Sequence, residues 1–203
     1  MHHQPDVGSI AHERQIRTLT AREMPLLRAH LLRLDAASRH DRFNGYTDEG
    51  FIERYAAKCQ TDGTIVVACL EDGVVRGAAE LHQPDLANPL PEIAFSVEAS
   101  LRRQGVGSIL FTRLIATAKS LGYDSLRITT GAQNDAMRAL AQKFGAQLSF
   151  RRGESSGSLD LTSHRLPKAA RATTPADVAR AMIEFNRVYW RTWLRMAGFG
   201  RTA

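Results

Sequence analysis

Residues 101–110, LRRQGVGSIL, stand between a predicted strand and a strongly apolar helical run. A strand that leads through a glycine-bearing loop into a helix exposes free backbone N–H groups at the positive end of the helix dipole, which attracts anions. Gly105 and Gly107 let the backbone approach an anion without a Cβ in the way. Arg102 and Arg103 add charged donors that suit a diphosphate better than a single carboxylate. The stretch therefore predicts a diphosphate-binding loop.

Two familiar phosphate-binding motifs do not describe this loop. A P-loop requires G-x-x-x-x-G-K-[ST], a run that the sequence lacks. A dinucleotide fingerprint requires a third small residue three positions after Gly107, and Leu110 stands there. The two glycines alone would also fit an ordinary turn with solvated arginines. The pair of arginines and the strand–loop–helix order favour the anion site.

The N-terminal half is predicted to be mainly helical. Apolar spacing predicts a helix over 21–34, with Thr20 and Glu23 as a capping box at its start. A second helix is predicted over 47–59. Residues 35–46 are predicted to be a loop between the two.

Strand signals dominate the middle of the chain. Two β-rich runs meet at Asp72-Gly73, which predicts a hairpin turn, and residues 91–99 add a third strand to that sheet. A further strand over 124–130, a helix capped by Asn134 and a closing hairpin follow. The order of elements predicts an α/β domain.

Residues 102–107 match the [R/Q]-x-x-G-x-[G/A] motif of the GNAT superfamily of acyl-CoA-dependent N-acyltransferases, which the chain resembles over residues 14–164. Residues 92–128 are similar to the family's fourth strand, pyrophosphate loop, third helix and fifth strand, in unbroken order. Residues 134–146 are similar to its later N-x-x-A-x-x-L-Y-x-K-x-G-F segment. The resemblance implies an α/β fold with a mixed, mostly antiparallel central sheet flanked by helices. It also implies transfer of an acyl group, acetyl above all, to an amine.

In this family an acyl-CoA lies between the splayed fourth and fifth strands, with its amide arm paired to the edge of the fourth. The resemblance thus implies acetyl-CoA as the acyl donor, and no metal or redox cofactor. The residues implied to bind it are Phe95, Ser96 and Val97 on the strand, Arg102, Arg103, Gln104, Gly105, Val106, Gly107 and Ser108 in and after the loop, and Asn134.

Direct transfer to an amine also needs a base for the ammonium and an acid for the leaving thiolate. Glu92 is the first candidate base, because it opens the strand that should line the acyl site and is similar to a glutamate used in lysine acetyltransferase branches of the family. Glu80 on the neighbouring strand is the second and His82 the third, although either glutamate could be an ordinary outward strand residue. Ala141 stands where the family often has a tyrosine acid. A domain that binds acyl-CoA without turnover is therefore the competing interpretation.

The sequence leaves the acceptor open among small polyamine-like amines, aminoglycosides, amino acids and protein lysines. Residues 31–46 contain an S-R-x-x-R-F run similar to one in the substrate-side loops of bacterial protein lysine acetyltransferases. Tyr55 or Tyr123 could supply the acid that Ala141 lacks.

Composition favours one main domain, because 203 residues of 43% hydrophobic content can build one core. Apolar stretches are interrupted well before the ~18 residues of a membrane span. Cys59 and Cys69 have the spacing of neither a disulfide framework nor a zinc site, and residues 1–10 have no apolar signal region, so we expect a cytoplasmic protein. We divide the chain into a flexible N terminus (1–13), the acyltransferase domain (14–164), a basic linker (165–174) and a C-terminal amphipathic helix (175–198).

The net charge of +6 resides in the tail, since residues 165–203 hold eight Lys and Arg against two Asp and Glu. Helical spacing there gives a basic face and an apolar face, the latter made of Met182, Phe185, Tyr189, Trp193 and Met196. Such a helix predicts docking on its own domain, on a second subunit in a homodimer, or on an anionic membrane surface. Nucleic-acid binding is a third class, which we do not expect; it would show as a steeply salt-dependent affinity.

Deleting residues 170–203 is expected to leave acyl-CoA binding intact and to change the oligomeric state or the localisation. Calorimetry with acetyl-CoA and size-exclusion chromatography with light scattering measure the two effects. Loss of all binding in a truncated chain that still folds would place the tail in the site and contradict this division.

Overall fold

A computed structural model describes residues 14–86, 88–151 and 153–163 of the chain. Within them lie the strands β1 (Arg14–Thr18), β2 (Ile65–Glu71), β3 (Val74–His82), β4 (Glu92–Val97), β5 (Ser125–Gly131), β6 (Gln147–Arg151) and β7 (Glu154–Asp160). The α-helices are α1 (Met24–Arg33), α2 (Ala36–Phe43), α3 (Glu49–Thr61), α4 (Val106–Ser120) and α5 (Asp135–Lys143). The predicted flexible N terminus, basic linker and C-terminal helix lie outside the described residues.

The seven strands form one sheet in the order β1-β2-β3-β4-β5-β7-β6. Every neighbouring pair is antiparallel except β4 and β5, which are parallel. This confirms the α/β fold with a mixed, mostly antiparallel sheet. The predicted hairpin joins β2 to β3 through Asp72 and Gly73, whose φ angles of 51° and 78° are those that a type I′ turn requires.

Helices cover both faces of the sheet and make two cores. Alternate residues of β2 face opposite ways: Val67 and Cys69 belong to the core under α4, whereas Val66 and Ala68 belong to the core under α1 and α3. A strand that is buried on both faces reads as a continuous apolar run, which explains the sequence IVVACL. Within the described part of the chain, no helix has the length and hydropathy needed to cross a bilayer.

The prediction of a loop over 35–46 is wrong, because Ala36–Phe43 form α2. Asp35 caps this helix by accepting a hydrogen bond from the Ser38 backbone N–H at 2.8 Å, and Asn44 ends it in the left-handed region at φ 53°. Ser38 is the buried residue of α2, so the helix has no apolar stripe whose period could reveal it.

The capping box is confirmed: the Glu23 carboxylate accepts a bond from the Thr20 backbone N–H at 2.9 Å, and Glu23 N–H donates to the Thr20 carbonyl. A short 3₁₀ turn over Ala21–Glu23 leads from this cap into α1. The predicted start of the first helix therefore holds.

A partly buried carboxylate fixes the end of β4 to its neighbours. Glu98, directly after β4, accepts hydrogen bonds from Arg33 Nε at 3.1 Å and Arg76 Nη1 at 2.9 Å, and lies 3.2 Å from His30 Nδ1. The opposite ring nitrogen of His30 lies 2.9 Å from Ser96 Oγ. Burial alone would raise the pKa of Glu98, but the bonds from His30 and Arg76 outweigh it and lower the pKa to about 2. The strand end is thus fixed to α1 and β3.

Glu98→Gln is expected to lower the free energy of unfolding at pH 7 by about 1 kcal/mol, because the carboxyl pKa is far below its unfolded value and solvent screens part of the interaction. A lowered folded pKa gives stability that is present above the unfolded pKa and lost as the pH falls. The difference in the free energy of unfolding between parent and variant should therefore become smaller as the pH falls from about 4.5 to 2. Urea unfolding at several pH values measures it. The exposed Glu49→Gln serves as the control, and an equal, pH-independent loss in both variants would contradict the assignment.

Candidate functional site

The parallel pair β4 and β5 separates after two residue pairs. Glu92 pairs with Arg127 and Ile93 with Ile128, and the register of the described strands ends there. On its other side β4 stays paired with β3 as far as Val97. The sheet therefore opens into a gap beside residues 94–97, where one edge of the β4 backbone faces no strand and can accept an extended ligand.

A cleft of about 460 Å³ lies beside this gap and brings together ten of the eleven residues predicted to bind the acyl donor. These are Phe95, Ser96, Val97, Arg102, Arg103, Gly105, Val106, Gly107, Ser108 and Asn134. The eleventh, Gln104, does not line it, because its amide donates to the Ser100 carbonyl at 2.7 Å and accepts from Arg14 at 3.3 Å. We call this space the donor cleft.

The loop that closes one end of the donor cleft has an unusual backbone. Arg103 and Gly105 both lie in the left-handed region, at φ 61° and 81°, and α4 begins at the next residue, Val106. The first N–H groups of a helix have no partner within it, so those of α4 are available to an anion. A Cβ on Gly107 would lie 3.4 Å from Leu140 Cδ2, inside the narrow space between α4 and α5.

The two arginines predicted to bind the diphosphate, Arg102 and Arg103, have different surroundings in the structure. Arg102 donates through Nε to the Val97 carbonyl at 3.1 Å and also to Ser38 Oγ. Two of its N–H groups are therefore hydrogen-bonded within the protein. Arg103 is exposed and makes no side-chain hydrogen bond within the described chain. Lys143, which sequence reasoning missed, donates to Ser108 Oγ at 2.9 Å and so places a second cation beside the loop.

A column of three aromatic rings supports the cleft wall from behind. Phe95 stacks on Phe111 with ring centroids 4.9 Å apart, and Phe111 stacks on Phe144 at 4.3 Å. Phe111 is fully buried in α4, so the column joins β4 to the end of α5 through the core. The two sides of the donor cleft are therefore packed against one rigid group.

A second cleft of about 370 Å³ adjoins the first, and the two share residues of α2, β4 and α5. We call it the acceptor cleft. Glu92 and His82 lie on its sheet side, at the base of the gap. Its remaining polar lining is Asp41, Arg42, Asn44, Tyr55, Thr129, Thr130, Asn134 and Glu154.

Glu80 does not line either cleft but anchors a buried cluster beneath the second. Its carboxylate accepts from Arg42 Nη2 at 2.9 Å and from the Tyr55 hydroxyl at 2.6 Å, and the same hydroxyl lies 3.1 Å from His82 Nε2. Burial would raise the pKa of Glu80, but the Arg42 guanidinium with His82 and Tyr55 holds it well below its usual range. Burial raises the pKa of Tyr55 well above its usual value and that of Cys59, 3.9 Å from Glu80, to about 12. Glu80 is therefore an ionised structural partner of Arg42.

The other predicted positions fall as follows. Asn134 caps α5 as predicted, accepting from the Met137 backbone N–H at 3.0 Å, and its amide donates to the Asp41 carbonyl at 3.2 Å. Ala141 is fully buried, so the position offers no polar group to the cleft. Tyr55 lines the acceptor cleft, whereas Tyr123 donates to Gln83 beside a different cavity.

Sequence reasoning missed the contribution of α2, which supplies Ser38, Asp41 and Arg42 to the clefts. The S-R-x-x-R-F run was the available signal, but its assignment to a loop hid the spacing that places these three side chains on one side of a helix. Across residues 14–86, 88–151 and 153–163, no three His, Cys, Asp or Glu side chains are grouped so as to hold a metal ion.

A family model described as the acetyltransferase (GNAT) family matches residues 31–146, which include the helices of both clefts and the loop over 101–108. The chain belongs to the GNAT acetyltransferase family. Among solved structures, the GNAT domain of S. lividans PAT is similar with a TM-score of 0.62 and 17% identity, over 72% of this chain and 90% of that one. The S. lividans domain shares the fold.

Two further similar structures contain acetyl-CoA or coenzyme A. The YncA protein of Salmonella typhimurium, with its cofactor acetyl-CoA, has a TM-score of 0.53 and 21% identity over 77% of this chain and 98% of that one. PaiA N-acetyltransferase from Thermoplasma acidophilum, in complex with coenzyme A, has a TM-score of 0.55 and 15% identity over 73% and 99%. At these identities the likeness establishes the common GNAT fold.

Gly107→Glu is expected to abolish acetyl-CoA binding, because the side chain would enter the narrow space beside Leu140 and place a negative charge on the first turn of α4. In the parent, a hundredfold excess over the dissociation constant should stabilise the fold by about 2.7 kcal/mol. Thermal unfolding with and without acetyl-CoA measures the shift.

The matched control is Gly45→Glu, since a Cβ there meets no atom within 4 Å and Gly45 lines neither cleft. This variant should keep the full acetyl-CoA shift. Equal binding by Gly107→Glu and the parent would show that the loop is not the diphosphate site.

Proposed function

We propose that the chain transfers the acetyl group of acetyl-CoA to an amine by direct attack, within a ternary complex. The observation that carries the proposal is the meeting of two clefts where β4 leaves β5. One cleft has the loop and cations for a diphosphate, and the other has a free carboxylate, Glu92, at its base. Acyl transfer needs its two substrates to converge at one point, and this gap provides it.

For the donor, the proposal assigns the diphosphate to the N–H groups at the start of α4, with Arg103 and Lys143 adding charge. The amide arm would then run along the open edge of β4 at residues 94–97, as an added strand does. This direction brings the acyl end toward Ile93 and Glu92, where the sheet closes and the acceptor cleft begins.

For the acceptor, Glu92 is the proposed base. Its half-buried carboxylate makes no hydrogen bond or ion pair within the described chain, so it is available to an ammonium group. It lines both the acceptor cleft and a further cavity of about 730 Å³, which gives an accepted proton a path to solvent. His82 lies opposite Glu92 in the β3–β4 register and lines the same two spaces, so it can assist that path.

Glu80, the second candidate, is better suited to positioning. Arg42 already neutralises its charge, and a carboxylate whose pKa is held this low accepts a proton weakly. Its hydrogen bonds hold the Arg42 and Tyr55 side chains in place, and these two side chains line the acceptor cleft.

The absence of a tyrosine at Ala141 is compatible with turnover. The conjugate acid of the leaving thiolate has a pKa of only about 8.5, so the CoA sulfur can depart as thiolate without a protein acid and take its proton from solvent afterwards. A non-catalytic acyl-CoA sensor is the second candidate function, and the buried Ala141 is the observation that favours it. Amine-dependent release of free CoA separates the two, since a sensor would bind acetyl-CoA without releasing thiol.

Glu92→Gln is expected to lower kcat by roughly 10²–10⁴ while leaving the dissociation constant of acetyl-CoA nearly unchanged, because it removes the proton acceptor and keeps the shape. Thiol release with a panel of amines gives kcat, and calorimetry gives the affinity. Exposed Glu49→Gln is the control. Full activity of Glu92→Gln together with loss of activity in a folded Glu80→Gln variant would transfer the role of base to Glu80.

A further inference from the structure

Three carboxylates from separate elements line the acceptor cleft: Asp41 of α2, Glu92 of β4 and Glu154 of β7. The carboxylates of Asp41 and Glu92 have no hydrogen bond or ion pair to any described residue. Glu154 accepts a bond of 2.8 Å from the uncharged Asn44 amide, which leaves its charge in place. The cleft therefore contains three carboxylates, none of which makes an ion pair with a described residue.

Among the described residues, Arg42 is the one arginine that lines the cleft, and its guanidinium bonds to Glu80, whose buried charge cancels it. Arg127 and Arg151 are the register partners of Glu92 and Glu154. They keep their positive charge, but neither lines the cleft and neither makes an ion pair with its partner. The described lining of the cleft therefore carries an excess of negative charge, and an anionic group placed there would meet repulsion.

A second, independent feature of the cleft points to a polar ligand. Thr130 lines it and is 5% exposed, yet its hydroxyl has no hydrogen-bond partner among the described residues. A buried polar atom without a partner is costly, so such atoms usually have a bound water or ligand as partner. Beside three carboxylates, an ammonium group satisfies both requirements, because it donates hydrogen bonds and carries positive charge.

We infer that the acceptor cleft selects amines that carry a second positive charge. The inference rests on the proposed acyl transfer for the role of the reacting amine. That amine lies at Glu92, and the second cation lies toward Asp41 and Glu154, with Thr130 as a hydrogen-bond acceptor between them. Neutral amines of the same length lose this attraction, and amines with a carboxylate are repelled.

Three acceptors of equal length test the inference: 1,5-diaminopentane, 5-amino-1-pentanol and 6-aminohexanoate. Each presents a primary amine at one end of five methylenes, and the far ends are cationic, neutral and anionic at pH 7. The diamine has two equivalent amines, so its kcat/KM is halved before the comparison. Acetyl-CoA-dependent thiol release gives kcat/KM for each with the full chain. Calorimetry in the presence of CoA gives the three dissociation constants without need of turnover.

We expect both readouts to fall in the order diamine, alcohol, acid, with about tenfold or more between diamine and acid at low salt. High salt should compress this ratio, since partly exposed charges are screened. Asp41→Asn and Glu154→Gln should compress it as well, by several-fold each. Asp124→Asn is the matched control, because this exposed carboxylate precedes β5 at the end away from Thr129, roughly 17 Å along the strand, and should leave the ratio as in the parent.

The outcomes separate the inference from the proposed function. Thiol release with equal rates for the three amines, or fastest with the acid, overturns the inference and leaves acyl transfer standing. The predicted order of affinities without thiol release supports the inference and overturns acyl transfer. If the three amines show equal affinities and none of them releases thiol, both the inference and the proposed acyl transfer are overturned.

Discussion

The structure depends on a backbone constraint, the brevity of the parallel contact between β4 and β5. Two residue pairs join the strands at Glu92 and Ile93, and beyond them the strands diverge although β4 keeps its full ladder with β3. A sheet that continued this ladder would be closed, with every central N–H and C=O used internally. The ladder between β4 and β5 stops early, so the middle of this sheet contains an open strand edge. Such edges usually lie at the outer strands of a sheet.

An open edge inside a sheet needs support from both sides. The Glu98 carboxylate, with His30, Arg33 and Arg76, holds the end of β4 to α1 and β3. The Phe95–Phe111–Phe144 column holds the opposite face of β4 to α4 and α5. These contacts form on folding, so the gap exists before any substrate arrives and binding need not pay the entropy of ordering it.

Local chemistry explains what could be predicted from the sequence. The hairpin at Asp72-Gly73 and the loop at 101–108 depend on residues that are close in the chain, and each has a turn chemistry that few other sequences satisfy. Helix α2 could not be found by apolar periodicity because Ser38 is its buried residue. The burial and ion pairing of Glu80 could not be predicted either, because its partner Arg42 is 38 positions away in the sequence. Only the fold brings Arg42 Nη2 to 2.9 Å from Glu80 Oε1. Lys143 reaches the loop from the end of another helix for the same reason.

The two clefts differ in sign as well as in place. The donor side presents Arg103 and the positive end of α4, with Lys143 bonded to Ser108, whereas the acceptor side presents Glu92 and Glu154. Asp41 lines both clefts. Under the proposed function, an anionic donor and a cationic acceptor would each be attracted to its own cleft. In the proposed reaction, acetylation turns a charged ammonium into a neutral amide. Bond formation then removes the charge that attracted the acceptor to Glu92, so the product is held less tightly than the substrate at that end of the cleft.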